Sequence, residues 1–362
     1  MDGIAWFTYH TIGYMVRNNP DIHFYLLFDT DPDPEFIFGP NVTPIKLFPP
    51  AKHAVLNLMW FEVSVRMVLV RVKPDLFLST DGLLCLGWNG PQFGVIHDIN
   101  YVHFPKDLKF SNRTFFNNFY PRYARKATHL ATVSEYSKAD IVKEFHIPPG
   151  KIDIVYSGLN SGFVPFDEEQ KKAVRQKYSQ GKPYFVFVGT LHPRKNVYKL
   201  MQGFEEFKKA VPSDVKLILA GWEMYRTNEL HELHATMSSK DDVIFTGRVP
   251  GKDINGLIAA AECLTFVPYF EGFGLPPLEA MSCHVPVIAS NVTSIPEVVG
   301  DAAISVDPHN IDQIKDAMIA IHSSPSLRNE LITKGIERIK TFTWERTARL
   351  LNESVQCTLA KL

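Results

Sequence analysis

At 362 residues the chain is too long for one small hydrophobic core and fits two domains. Its 45% hydrophobic and 21% charged residues are ordinary globular usage, which excludes a disordered or fibrous chain, and a net charge of -1 gives no electrostatic case for nucleic acid. The four cysteines, at 85, 263, 283 and 357, have neither metal-ligand spacing nor the density of a disulfide framework, so reduced thiols in a cytoplasmic setting are expected.

In chain order, Gly3-Ile4-Ala5-Trp6-Phe7-Thr8 reads as a loop leading into a helix, with no signal-peptide pattern. His23–Phe28 is a candidate strand. The Asp29-Thr30-Asp31 and Asp31-Pro32-Asp33 spacings suit a divalent cation, but a Pro-broken loop is a poor place for one. The stretch from about His53 to Val72 is strongly apolar, yet Glu62, Arg66 and Arg71 interrupt it, so a buried helix is expected and not a membrane span. Asp75–Leu78 and Phe93–His97 are the next strands, and Gly94-Val95-Ile96-His97-Asp98 runs from a strand into a loop. A lone histidine there is more often a structural hydrogen-bonder than a functional one.

Arg113, Arg122, Arg125 and Lys126 alternate with Phe115, Phe116, Phe119 and Tyr120 on a helical pattern. That is either a core-packing helix with solvated cations, the better fit, or an interfacial face for peripheral membrane contact. Thr128–Thr132 is a strand, Ser134 an N-cap, and Ile152–Val155 closes the first strand series. The polar stretch 160–182 separates it from a second series and is expected to hold the domain junction.

In that second series Tyr184–Val188 is an apolar strand that empties into Gly189-Thr190-Leu191-His192-Pro193-Arg194-Lys195-Asn196, followed by a helical pattern from Val197 to about Ala210. Adjacent Arg194 and Lys195 at a strand's C-terminal end suit a diphosphate, the first as a bidentate fork and the second as a compact charge, although two solvated cations are an equal reading of the pair alone. Lys216–Ala220, Val243–Thr246 and Cys263–Val267 are further strands. After the last comes Glu271-Gly-Phe-Gly-Leu-Pro-Pro-Leu-Glu279, where the glycines allow a tight turn and Pro276 or Pro277 suits the first helical position. Amides near Phe273, Gly274 and Leu275 then form a helix-start anion site, with Glu279 in the first turn, able to accept hydrogen bonds from a diol such as a ribose. Taken alone, two glutamates at that spacing favour simple complementation of a helix dipole. Val285–Ala289 and Ala303–Val306 are strands, Asn310–His322 and Ser326–Lys340 helices, and Thr343 caps a last one. Strands alternating with helices are the signature of parallel sheets.

Phe187 to Asn196, Glu271 to Glu279 and Val285 to Gly300 together resemble glycosyltransferase family 4, retaining transferases of the GT-B fold. The likeness covers nearly the whole chain. It implies an α/β architecture of two Rossmann-like domains with parallel sheets facing a cleft, over 1–160 and 161–342, with 343–362 crossing back to the N-terminal domain. By the same resemblance Glu279 holds ribose hydroxyls, Glu271 lies by the sugar and its phosphate, and Arg194 and Lys195 contact the diphosphate. The Phe273-Gly274-Leu275 amides complete its cradle, His97 faces the transferred sugar, and Gly189, Arg248 and Val249 also bind donor.

The activity implied is transfer of a hexose from a nucleoside-diphosphate sugar, with GDP-mannose favoured over a UDP-sugar, because the 189–196 loop looks like that of bacterial mannosyltransferases of surface polysaccharide synthesis. No metal is expected, since Arg194, Lys195 and helix dipoles suffice to neutralise the leaving group. Expected partners are the nucleotide-sugar donor, a saccharide or lipid-linked acceptor and peripheral contact with the inner face of a membrane. An inactive nucleotide-sugar-binding subunit and a nucleotide-sugar epimerase or hydrolase are the alternatives. The chain departs from the family's pattern in two places. A first strand before the glycine-rich loop is missing, so the natural chain is expected to start upstream of Met1, and His284 stands where the family often has a small residue.

Overall fold

The computed structural model describes residues 3–51, 53–224 and 228–362; Met1, and with it the expected upstream start, lies outside the described residues. Two compact units divide the chain, one running to Gly158 and taking back Thr343–Leu362, the other comprising Leu159–Phe342.

The first unit contains α1 (Gly3–Asn18), β1 (Phe24–Phe28), β2 (Val42–Lys46), α2 (Ala54–Met59), α3 (Arg66–Val72), β3 (Phe77–Ser79), β4 (Gln92–Val95), α4 (Asn100–His103), α5 (Phe110–Lys126), β5 (His129–Thr132), α6 (Glu135–Phe145) and β6 (Ile152–Ile154). Its strands form two separate parallel sheets, β1-β2 and β3-β4-β5-β6. Residues read as an opening loop are already helical in α1. Strand β2 was not expected, because Pro44 interrupts its apolar run; it is tolerated because β2 pairs on one side only, with β1. Between α2 and α3 the chain winds as a π turn over Trp60–Val65, so 54–72 is one rod with a wider turn in its middle. The aromatic face of α5 turns inward: Phe115 and Tyr123 are buried, and Phe116, Phe119 and Tyr120 pack on the same core as Trp60, Phe61 and Leu69. That helix is therefore a core element, and its rings are not laid out as an interfacial face. Ser134 caps α6 by accepting the Ser137 amide at 3.0 Å.

The second unit contains α7 (Glu168–Ser179), β7 (Tyr184–Val188), α8 (Val197–Ala210), β8 (Lys216–Ala220), α9 (Asn228–Thr236), β9 (Val243–Gly247), α10 (Gly251–Ala259), β10 (Cys263–Phe266), α11 (Leu275–Ser282), β11 (Val287–Ser290), α12 (Ile295–Val299), β12 (Ile304–Val306), α13 (Ile311–Ser323) and α14 (Pro325–Ile339). The stretch expected to hold the domain junction thus includes a regular helix, α7, started by a reciprocal cap between Asp167 and Gln170. One six-stranded parallel sheet runs β12-β11-β10-β7-β8-β9. Phe185, Val186 and Phe187 are fully buried, as a parallel strand covered on both faces requires, and each contributes about 1.5–3 kcal/mol by leaving water. Helix α8 covers the sheet with Val197, Leu200, Met201, Phe204 and Phe207, an i, i+3, i+4, i+7, i+10 stripe. From β7 the chain builds outward through β8 and β9, then crosses to β10 and builds the other way. The sheet's switch point lies between β7 and β10, where the loops after both strands emerge together.

Helix α15 (Trp344–Leu359) returns to the first unit and packs along α1. Thr343 caps it by accepting the Arg346 amide at 3.2 Å, the Trp344 ring stacks on His10 at 4.7 Å, and Thr347 donates to the Tyr156 carbonyl at 2.6 Å. Gly158 is where this junction needs a bare backbone, since a Cβ there would sit 2.4 Å from the Trp344 amide nitrogen.

Candidate functional site

The loop leaving β7 is pinned at both ends. Gly189, at a φ of +148°, donates to the Ala220 carbonyl at 3.0 Å, and Asn196, left-handed at +59°, donates to the carbonyls of Val267 and Pro308 at 2.9 and 2.8 Å. Between them Pro193–Lys195 forms a 3-10 turn over which His192 Nδ1 accepts the Arg194 amide at 3.3 Å. The loop leaving β10 is tied to this turn, Tyr269 donating its amide to Arg194 at 2.8 Å and Arg194 Nη1 donating to the Phe270 carbonyl at 3.1 Å. The switch-point geometry thus brings residues 76 positions apart in the chain into one cluster.

At its centre is Glu271. Its Oε1 accepts Arg194 Nη1 at 3.1 Å and Lys195 Nζ in a very short contact, with only 10% of the side chain exposed. Burial pushes this carboxyl up, but Lys195 and then Arg194 outweigh it and hold it below the usual range. Two cations thus meet on one carboxylate oxygen. Lys195 also sits 5.3 Å above the Phe266 ring.

The turn beyond Glu271 is fixed by Thr293 and Ser294, which lie in the 285–300 stretch that resembles the family but to which no site role was given. Ser294 Oγ donates to the carbonyls of Glu271 and Phe273 at 2.8 and 3.0 Å, and Thr293 Oγ1 accepts the Glu271 amide at 3.3 Å. Gly274 adopts a φ of +100°, and a Cβ there would approach Ile295 Cδ1 to 2.6 Å. Phe273 is buried edge-on against Phe342 at 5.7 Å. Helix α11 begins at Leu275, with Pro276 following, so Glu279 occupies the second turn and not the first as expected. Its partly buried carboxyl is pushed up to about 7 by burial. Two residues past the end of α11, His284 is left-handed at +57°, a conformation that favours glycine.

The other expected site residues lie on other elements. Val249 is buried and Arg248 exposed just beyond β9, two strands along the sheet from β7. His97 belongs to the first unit, two residues past β4, its Nε2 at 2.9 Å from the Thr80 carbonyl and its ring edge-on to Phe7 at 5.0 Å. The Asp29, Asp31 and Asp33 carboxylates are engaged by the Ala51 amide, Lys46 and the Glu35 amide. Among the described residues no group of three or more His, Cys, Asp or Glu side chains is gathered as metal ligands. A cavity of about 200 Å³ beside the β7 loop, lined in part by His192, Asn196 and Tyr269, falls below the roughly 300 Å³ at which small-molecule pockets begin.

Family models match both parts of the chain: Glycosyltransferase Family 4 over residues 1–162 and Glycosyl transferases group 1 over 168–338. O-antigen chain mannosyltransferase B of Escherichia coli is 34% identical over 243 residues, 64% of this chain and 63% of that protein. Serotype-specific mannosyltransferase WbdA, also from Escherichia coli, is 26% identical over 247 residues, 67% of this chain and 30% of that protein. The chain therefore spans less than two thirds of the length of either relative. Among solved structures, Alr3699/HepE of Anabaena in complex with UDP-glucose superposes with a TM-score of 0.75 at 17% identity, over 100% of this chain and 97% of that one. The fold is that of the GT-B glycosyltransferases, with two Rossmann-like α/β units.

Proposed function

The chain belongs to the family 4 and group 1 glycosyltransferases, and from that premise we propose that it moves a hexose, mannose in preference, from a nucleoside-diphosphate sugar to a saccharide or lipid-linked saccharide hydroxyl with retention. The observation that carries the reading is the convergence of Arg194 and Lys195 on Glu271 at the switch point of the second unit. A mannosyl donor is supported by the names of both relatives, and a nucleotide sugar of some kind by the UDP-glucose bound to HepE.

In this reading the sugar's anomeric C–O bond breaks and its electron pair passes to a β-phosphate oxygen. Lys195 and Arg194 stabilise that charge more in the transition state than in the ground state, without a metal ion. The start of α11, with the Phe273, Gly274 and Leu275 amides, supplies further donors for the diphosphate. Glu271 orients both cations, so no reorganisation is needed as charge develops. Glu279 accepts hydrogen bonds from a ribose diol. The acceptor hydroxyl then attacks from the face the phosphate leaves, its proton going to a departing phosphate oxygen.

Incubation with GDP-mannose or UDP-hexoses, each with and without saccharide and lipid-linked acceptors, tests the reading by mass spectrometry of the products. Glycosylated acceptor and released nucleoside diphosphate are expected. Donor binding without turnover, an isomerised sugar or free hexose alone would replace it with a binding subunit, an epimerase or a hydrolase.

A further inference from the structure

Among the described residues six other than glycine adopt a left-handed backbone, and five of them lack a branched Cβ. Lys73, His146, Gln180 and His284 follow helix ends, where that conformation closes the last turn, and asparagine, as at 196, is a type that tolerates it. Neither reason covers Thr293, at a φ of +57°: it is β-branched, and it lies in the loop between β11 and α12. A branched residue in that conformation is an outlier that persists only where its surroundings over-determine it, and such residues gather at functional sites.

What surrounds Thr293 is the turn that carries Glu271. The Thr293 hydroxyl donates to the Val292 carbonyl at 2.7 Å, so its proton is spent and Oγ1 meets the Glu271 amide as an acceptor, at 3.3 Å. Ser294, fully buried, shares its one hydroxyl proton between the carbonyls of Glu271 and Phe273. Next in line, Ile295 fills the space that a Cβ on Gly274 would need. Three consecutive residues thus grip the 271–274 turn, and Glu271 is held at its amide and its carbonyl as well as at its carboxylate. The gripping segment is itself braced. At one end the Asn291 amide donates to the Val306 carbonyl of β12 at 2.9 Å. At the other, Arg338 of α14 donates to the Glu297 carbonyl and, at 2.9 Å, to that of Val298, closing the end of α12. The same guanidinium lies 5.1 Å above the Phe342 ring that packs edge-on against Phe273.

We propose that Thr293 and Ser294 are positioning residues for hexose transfer, setting where the Glu271 carboxylate, and through it Lys195 and Arg194, stands against the leaving phosphate. The inference rests on the transferase reading of the site and gives neither residue a contact with substrate. A displacement of about 1 Å at a reacting group costs on the order of 10²-fold in rate. Arg194 and Lys195 still attract the donor when the grip is loosened, so the loss falls on kcat and not on KM.

Three replacements of one residue separate positioning from folding. Thr293→Val keeps the branched shape and loses the hydroxyl, Thr293→Gly loses the hydroxyl together with the crowding at a left-handed φ, and Thr293→Ser keeps the hydroxyl. In hexose-transfer assays kcat should fall by about tenfold or more in Thr293→Val and Thr293→Gly, with KM for the donor within about threefold of wild type, and stay within about twofold in Thr293→Ser. Thermal midpoints should instead place Thr293→Gly above Thr293→Val, so that activity follows the hydroxyl and not stability. Ser294→Ala, which strips two carbonyls of their donor, should lose kcat and midpoint together. Hydrogen exchange at the Glu271 amide reads the grip without turnover, and should quicken by about tenfold or more in Thr293→Val and Thr293→Gly but not in Thr293→Ser. Wild-type kcat in Thr293→Val, Thr293→Gly or Ser294→Ala, a kcat that follows the thermal midpoints, a loss confined to KM, or unchanged exchange would each overturn the proposal. A wild type that transfers no hexose would overturn the transferase reading itself and not the grip on Glu271, which exchange tests separately.

Discussion

Replacing Glu271 by Gln removes one negative charge and almost no volume, so its effect isolates the electrostatics of the cluster. Lys195 and Arg194 would then share an enclosed site without the Glu271 charge, their side chains only 13% and 21% exposed. Removing one partner of a buried ion pair costs about 3–5 kcal/mol, and Arg194's partial exposure argues for the lower end, about 3 kcal/mol. For a unit the size of 159–342, each kcal/mol shifts the midpoint by roughly 2–4 °C, so scanning calorimetry should show a transition lowered by about 6–12 °C. The loss depends on pH with a definite sign. The folded-state carboxyl is held below its ordinary value, so its contribution is present above about pH 4.5 and disappears as pH falls through the depressed value. Wild type and variant should therefore converge in acid. On the proposed reading a nucleoside diphosphate brings negative charge to this cluster, so saturating ligand should raise the midpoint of Glu271→Gln by more than that of the wild type. A shift below about 2 °C at neutral pH, together with equal ligand-induced shifts, would refute the reasoning.

Glu279 titrates in the opposite sense: with a folded value of about 7 against an ordinary 4.5, its burial costs stability increasingly as pH rises between those values. Glu279→Gln should therefore be more stable than wild type at pH 8, by about 2 kcal/mol after allowing for partial exposure, and equal to it at pH 4, as urea unfolding at both pH values would show. Gly274→Ala combines a φ of +100° with a Cβ only 2.6 Å from Ile295, and should cost about 2–3 kcal/mol in chemical denaturation while weakening binding of a nucleoside diphosphate in calorimetric titration. His10 lies stacked between Trp6 and Trp344, and burial followed by Arg17 lowers its pKa, so stability is complete above pH 6.5 and falls as pH drops below it. His10→Phe should keep the stack and flatten that acid-side loss in a series of thermal melts between pH 5 and 8.

Much of this fold is legible in the sequence because parallel strands covered on both faces are short apolar runs bounded by turn residues. Tyr184–Val188 and Lys216–Ala220 begin and end where the pattern says. Strand β2 was hidden by Pro44, whose tolerance depends on an edge that only the sheet order reveals. Helix α7 was hidden by its polarity, although Asp167-x-x-Gln170 carried a readable cap. In the site, Arg194, Lys195 and Glu271 could be singled out because charged residues at strand ends are conspicuous. Their mutual pairing could not, since it depends on β7 and β10 lying side by side. Ser294 and Thr293 act through carbonyl and amide groups more than 20 positions away, contacts that no local pattern announces. The 54–72 rod is only half buried: Trp60, Phe61, Val65 and Leu69 lie in the core while Val55, Met59, Val63, Met67 and Val70 are exposed, because apolar content says which residues avoid water and not what covers them.

The central claim is that positive groups on the β7 loop draw electrons out of the bond that breaks. Turnover of Lys195→Ala, with donor and acceptor both saturating, tests it most directly. Loss of one preorganised charge-stabilising group predicts a fall in kcat of about 10²–10³, roughly 2.7–4 kcal/mol of transition-state stabilisation, in a protein that still folds. A kcat within twofold of wild type would contradict it.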